Sequence, residues 1–121
     1  MVANGANRNE RLERDTLKFL CSILIQPSTR MELLALLDGS QFADVLNRVI
    51  YEEIGAIGPV SSRTLLEALP GRVANRGFPD FDLKEFLGPS NASEGEVEEL
   101  YMSVLEMIET RHRDDGASLA N

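Results

Sequence analysis

Residues 93–111 read SEGEVEELYMSVLEMIETR and carry the clearest helical pattern in the chain. Apolar side chains recur there every three or four residues, which is the period of an α-helix. They are Val97, Leu100, Tyr101, Val104, Leu105 and Ile108. Ser93 followed by Glu96 is a capping box, in which both side chains accept hydrogen bonds from backbone N–H groups at the start of the helix. We therefore predict a final helix from about Glu94 to Arg111.

Shorter amphipathic helices are predicted before this one, beginning with a helix from about Asn9 that Pro27 ends. Its apolar stripe consists of Leu17, Leu20, Cys21 and Leu24, widened by Leu12, Ile23 and Ile25. The capping box formed by Thr29 and Glu32 then predicts a second helix, which stops at residues 38–39.

Three more helices follow in the middle of the chain. The third is predicted from about Asp44 to Ile54, and the fourth is capped by Ser61 or Ser62 and broken at residues 70–71 by Pro-Gly. A short fifth helix, capped by Asp80 or Asp82, precedes a Gly-Pro pair at residues 88–89. No alternating apolar and polar run is long enough to predict a sheet.

The size and composition of the chain favour one domain. It has 121 residues, of which 43% are hydrophobic, enough for a single modest core. We predict an all-α bundle of five to six helices over residues 9–113, with a disordered lead-in at 1–8 and a flexible tail at 114–121. No apolar stretch approaches the about 20 residues that span a bilayer, and there is one cysteine, so we expect a cytoplasmic protein with no membrane contact.

The net charge of −8 is concentrated in the last third of the chain. Residues 1–79 hold nine basic and nine acidic side chains, whereas residues 80–121 hold three basic and eleven acidic ones. A DNA-binding surface needs clustered Lys and Arg, and the acidic third would repel a phosphate backbone. We therefore expect no direct binding of nucleic acid.

Residue patterns for catalysis or for cofactors are missing from this sequence. Cys21 and His112 are the single thiol and the single imidazole, and Cys21 shares a helix face with leucines, which is typical of a buried hydrophobe. The spacing of Glu109 and His112 suits a di-iron ligand pair, but those sites need a second histidine. No Gly-rich phosphate loop is present. We predict no enzyme activity, no metal, no cofactor and no small-molecule substrate.

The segment from Phe42 to Leu69 carries a family resemblance. Phe42 and the helical sequence RVIY at residues 48–51 are followed by PVSSRTLLEAL at residues 59–69. This resembles the N-terminal domain of DnaB-type replicative helicases and the related helicase-binding C-terminal domain of DnaG-type primases, over about residues 13–111. Ser61 stands where the family has a capping Asp, and the family's Gly-Gly-x-x-Tyr-Leu segment appears only loosely at residues 77–81.

The resemblance implies a DnaB-like helical fold and a role in DNA replication through binding between helicase and primase, or through self-association. The alternative is a small stand-alone regulatory or adaptor protein that uses the same fold outside replication. The apolar stripe of the last helix is wide, and Met102 lies outside it. Either this helix is well buried in the core, or it is shared between the core and a partner, and the second reading predicts a protein-binding surface there. The residues predicted to contact a partner are Met102, Glu106 and Met107 on the last helix and Asn47, Arg48 and Glu52 on the third.

Overall fold

The computed structural model describes the backbone of residues 2–87 and 94–120, and the side chains of residues 9–84, 86 and 95–113. Its elements are α1 (Val2–Leu20), α2 (Pro27–Leu36), a 3₁₀ turn (Gly39–Gln41), α3 (Val45–Ile57), α4 (Ser62–Asn75), α5 (Leu83–Leu87) and α6 (Glu94–Ala120). The part of the chain that the structure describes contains no strand, so the predicted all-α bundle of five to six helices is confirmed.

The core forms where α1 packs along α6 and α3 packs along α4. The ring of Phe19 lies 5.3 Å from that of Tyr101, and the hydroxyl of Ser103 donates to Asp15 across the same α1–α6 contact. Fully buried apolar side chains come from each of these four helices; they include Leu17, Leu20, Ile50, Ile54, Leu65, Leu69, Val73 and Val104. Helical spacing predicted all of these positions except Val73, which lies beyond the predicted end of the fourth helix, and for the others the prediction is confirmed.

Helix α1 ends at Leu20, earlier than the predicted stop at Pro27. The reason is a tertiary contact: the buried Arg30 side chain donates to the carbonyl of Leu20 at the end of the helix. The chain then turns, and Ile23 and Leu24 become 71% and 59% exposed. Their predicted place in the apolar stripe of the first helix is wrong.

Two prolines also act differently from the prediction. Pro27 is the first residue of α2, where its missing N–H removes no helical hydrogen bond. Because the helix begins at Pro27, Thr29 lies inside it instead of capping it. Pro70 lies inside α4, which continues to Asn75 and buries Val73 in the core. Burial of the following turn thus offsets the free-energy cost of the hydrogen bond that Pro70 cannot donate.

Helix caps form at three places: at Ser61 and Asp82, which were among the predicted caps, and at Asp44, which was predicted only as the start of the third helix. Asp44 accepts from the backbone of Asn47 at 3.0 Å, Ser61 accepts from Thr64 at 3.2 Å, and Asp82 accepts from Lys84 at 2.9 Å. These bonds satisfy N–H groups that a helix start leaves without an intrahelical partner. The predicted cap at Ser93 lies outside the described residues.

The outer helices extend further than the sequence suggests. Helix α1 begins at Val2, within the predicted lead-in 1–8, and α6 ends at Ala120, within the predicted tail 114–121. Neither segment contains a proline, and both contain alanine, the best helix former, which is compatible with a helical backbone. Of the helices described, none combines the length and the apolar character that crossing a membrane requires.

Candidate protein-interaction surface

Helix α6 presents large apolar side chains to solvent. Met102 is 64% exposed, Tyr101 42% and Leu105 39%. Leu105 follows Met102 by three residues and Tyr101 by four, so the three side chains share one side of the helix. Exposed Glu98 and Glu109 lie on that side as well, four residues before Met102 and four after Leu105. We call these five residues the α6 outer face.

The opposite side of α6 belongs to the core. Val104 is fully buried and Met107 is 4% exposed, both on the side that faces α1. Tyr101 lies at the boundary between the two sides, because its ring contacts the buried Phe19 while part of it remains exposed. A single helix therefore contributes both to the core and to an apolar surface.

The prediction that Met107 contacts a partner is wrong. Met107 follows Val104 by three residues, and this spacing places its side chain in the core. Its backbone carbonyl accepts a hydrogen bond of 2.7 Å from the side chain of Gln41, which ties the 3₁₀ turn to α6. Glu106, also predicted, is half-buried and lies between the two sides of the helix.

The predicted residues on α3 also separate. Asn47 is 1% exposed, so its prediction as a partner contact is wrong. Its amide donates to Glu13 at 3.2 Å, and Glu13 also accepts from the backbone of Ala43 and Asp44 at the start of α3. Arg48 and Glu52 are exposed, as predicted.

Arg48 and Glu52 border an open cleft of about 490 Å³ between the 3₁₀ turn and α3. Its lining residues are Asp38, Gly39, Ser40, Arg48, Tyr51 and Glu52. The walls are tied to the fold by hydrogen bonds: Tyr51 donates to the carbonyl of Leu34, Arg48 donates to the carbonyl of Phe42, and Glu52 accepts from Arg76 at 2.7 Å. Side chains of both charges line the cleft, so it has no single electrostatic preference.

Electrostatics within the cleft are local. A hydrogen bond from Ser40, supported by the charge of Arg111, holds the pKa of Asp38 below its ordinary range, although burial acts in the opposite direction. Burial, supported by the charge of Asp38, raises the pKa of Tyr51. Asp38 is therefore an anion and Tyr51 a neutral phenol at neutral pH, and neither group is prepared to transfer a proton.

Buried polar side chains elsewhere connect the helices. Arg30 is fully buried and donates to the carbonyls of Leu20 and Val60 and to the hydroxyl of Ser62, at 2.6–2.8 Å. The hydroxyl of Ser62 in turn donates to the carbonyl of Ser22. The Arg30 network therefore joins the ends of α1, α2 and α4, and its hydrogen bonds are structural.

The single thiol does not resemble a nucleophile. Cys21 is 2% exposed, and burial raises its pKa to about 12, with the charge of Arg30 acting weakly against this. A thiol with that pKa is protonated at neutral pH, and the thiolate is the reactive form. His112 and Glu109 are exposed near the far end of α6. Among the residues that the structure describes, no three His, Cys, Asp or Glu side chains are grouped so that they could hold a metal ion.

The six predicted contact residues thus do not form one surface. Met102 lies on the α6 outer face, Arg48 and Glu52 border the cleft, Glu106 is half-buried, and Asn47 and Met107 are in the core. Tyr101 and Leu105 also lie on the α6 outer face, although their helical spacing predicted that they belong to the buried stripe. The signal was the width of that stripe, which is too wide for one helix to bury against a small bundle.

Comparison of this chain with protein-family models, with curated proteins and with solved structures gives no match. The resemblance to helicase and primase domains therefore depends on the residues quoted from the sequence.

Proposed function

We propose that this chain is a non-catalytic protein–protein interaction domain that resembles the helicase and primase interaction domains of bacterial DNA replication. The observation that carries the proposal is the exposure of Met102, Tyr101 and Leu105 side by side on α6. Exposed apolar side chains that adjoin one another are a feature of surfaces that bind other proteins. Aromatic residues and methionine are enriched in such surfaces.

The chemistry of the described side chains supports a binding role over a catalytic one. The buried titratable groups are engaged within the fold: Glu13 accepts from the start of α3, and Glu53 accepts from Arg72 and Arg76 at 2.6 and 2.7 Å. Acid–base catalysis needs a titratable group that faces a substrate site with a pKa near the working pH. The described surface instead offers apolar contact area and fixed charges.

The replication role is supported by the segment from Phe42 to Leu69. Ser61 caps α4 where the family has a capping Asp, and Phe42 is fully buried against Tyr51, with ring centroids 4.8 Å apart. Two of the positions that carry the resemblance therefore have a structural role in this fold, one as a helix cap and one in the core. In this proposal the partner is a helicase or primase part, or a second copy of the chain.

The alternative is a stand-alone regulatory or adaptor protein with the same helical fold. The loose agreement at residues 77–81 favours it, because this chain has the sequence GFPDF where the family has Gly-Gly-x-x-Tyr-Leu. In the structure, Gly77 has a φ of 108° and Phe78 packs against the core. This alternative shares the α6 outer face and differs only in the partner.

A binding experiment with the helicase and primase of the same host separates the two. The full chain is immobilised and tested with each protein, together with Met102→Glu and the control Val45→Glu. Val45 is 60% exposed at the start of α3, where a negative charge suits the helix dipole. We expect helicase or primase to bind the wild type and the control but not Met102→Glu. Absence of binding to both proteins would contradict the replication role, and equal binding by all three variants would contradict the role of α6.

A further inference from the structure

We propose that the α6 outer face binds an amphipathic helix of a partner protein whose apolar side chains are flanked by Lys or Arg. This inference rests on the proposed function and specifies the class of partner. It depends on the position of the apolar residues and on the negative charges at both ends of the face. It also depends on the charge repulsion that two copies of the same face would create.

The apolar part of the face has the dimensions of a helix contact. Tyr101 and Leu105 are four residues apart, about 6 Å along the axis, and Glu98 and Glu109 are about 16 Å apart. This length corresponds to three helical turns, the span over which a docked helix presents side chains at i, i+3, i+4 and i+7. Met102, the most exposed of the three apolar side chains, is unbranched and adapts to the shape of a partner.

Acidic side chains surround this apolar centre. Glu98 and Glu109 lie at its two ends, and exposed Glu99, three residues before Met102, adds charge beside the first. Arg111, the nearest arginine beyond Glu109, donates to the carbonyls of Ala35 and Leu37 and is thereby directed toward the end of α2. A partner with positive charges at both ends of an apolar stripe complements this pattern.

A second copy of the chain complements it poorly. In a two-fold contact centred between Met102 and Leu105, Glu98 of one copy would lie opposite Glu109 of the other, at both ends of the contact. Like charges in this arrangement oppose association. The same acidic ends would be repelled by an anionic membrane surface. The charge pattern therefore favours a basic partner helix over self-association and over lipid.

The test uses a synthetic probe, a peptide of about 14 residues with Leu on one helical face and Lys on its flanks. Two matched peptides accompany it, one with Glu in place of each Lys and one with the same composition in a scrambled order. Binding to the full chain is measured by fluorescence anisotropy at two salt concentrations. We expect one-to-one binding of the Leu-Lys peptide that weakens with salt, with the Glu peptide and the scrambled peptide at least about tenfold weaker.

Variants of the chain locate the contact. Met102→Ser should weaken binding of the Leu-Lys peptide about tenfold. The double variant Glu98→Gln, Glu109→Gln should weaken this binding several-fold and reduce its salt dependence. The control pair Glu32→Gln with Asp80→Asn removes two exposed charges elsewhere and should leave Kd unchanged. The proposal would be overturned if the control pair weakened peptide binding as much as the Glu98 and Glu109 pair does. It would also be overturned if the scrambled peptide bound as tightly as the Leu-Lys peptide.

The outcome also separates this inference from the proposed function. If helicase or primase binds through Met102 but the Leu-Lys peptide does not bind, the chain is an interaction domain and the basic helix is the wrong partner class. If the peptide binds as expected but neither protein does, the partner class holds and the replication role fails. Circular dichroism of each variant ensures that a loss of binding does not come from unfolding.

Discussion

The side chain of Arg30 donates its Nε hydrogen to the backbone carbonyl of Leu20 at 2.8 Å, within a site where Arg30 is fully buried. This bond satisfies a carbonyl that the end of α1 leaves without an intrahelical donor. It also fixes the place where the chain leaves α1 and turns toward α2. Burial lowers the pKa of Arg30, but an arginine remains charged in proteins, so its hydrogen bonds are charge-assisted.

Replacing Arg30 with methionine should therefore destabilise the domain strongly. The variant keeps much of the side-chain volume but leaves the carbonyls of buried Leu20 and half-buried Val60 without their donor. The loss of the buried bond alone should cost about 1–3 kcal/mol. Urea unfolding followed by circular dichroism measures the change. The control Arg63→Met removes an exposed i,i+4 pair with Glu67 and should cost under about 0.5 kcal/mol. Equal stability of the two variants would show that the Arg30 network is not structural.

The sequence predicted most helices because local spacing and caps determine them. The caps at Asp44 and Ser61 involve residues three apart in the chain, and the buried faces of α3 and α4 follow from their spacing. The ends of α1 and α4 could not be predicted in this way. Arg30 bonds to Leu20 and Ser62, 10 and 32 residues away, and burial of Val73 carries α4 past Pro70.

The second prediction concerns pH and Glu53, which is 7% exposed between α3 and α4. Burial alone would raise its pKa, but hydrogen bonds from Arg76 and Arg72 and their charges outweigh burial and hold the pKa below its ordinary value of 4.5. A carboxyl with a depressed folded-state pKa stabilises the fold above its unfolded-state pKa, and that contribution is lost as the pH falls through the folded-state pKa.

The wild type should accordingly be more stable than Glu53→Gln at pH 7, and the difference should shrink as the pH falls below about 4.5. Thermal unfolding at several pH values between neutral and acid measures the difference. Glu67→Gln is the control, because its pair with Arg63 is solvent-exposed. A difference for Glu53→Gln that is independent of pH would contradict the assignment of this ionised pair.

The third prediction concerns Cys21. Since burial raises its pKa from 9.0 to about 12, the folded chain should react with Ellman's reagent at pH 8 at least about a hundredfold more slowly than the chain in urea. Stability should also decline as the pH rises above 9, because the unfolded thiol ionises there while the folded thiol does not. Equal labelling rates in the two states would mean that Cys21 is accessible.

The fourth prediction compares two positions on α6. Val104→Glu places a charge in the core, where the wild-type side chain is fully buried, and should unfold the domain. Met102→Glu changes a side chain that is 64% exposed and should alter stability by less than about 0.5 kcal/mol. Thermal unfolding of both variants checks the assignment of the two sides, and a large loss for Met102→Glu would refute the α6 outer face.

The candidate surface was only partly predictable from sequence. Met102 was identified because it departs from the apolar stripe, whereas Tyr101 and Leu105 share the helical spacing of buried residues. Asn47 shares a face with Ile50 and Ile54 at three and seven residues, so its spacing indicated burial, but its polar type suggested exposure. Its partner Glu13 lies 34 residues away, and no local pattern reveals that contact.

In this account the α6 outer face is where the domain meets its partner. Nuclear magnetic resonance tests it most directly: the labelled chain is titrated with the Leu-Lys peptide and its backbone amide signals are followed. We predict saturable shifts concentrated between Glu98 and Glu109, with little change at Arg48 and Glu52 beside the cleft. Shifts concentrated at the cleft, or no saturable shifts in α6, would contradict the claim.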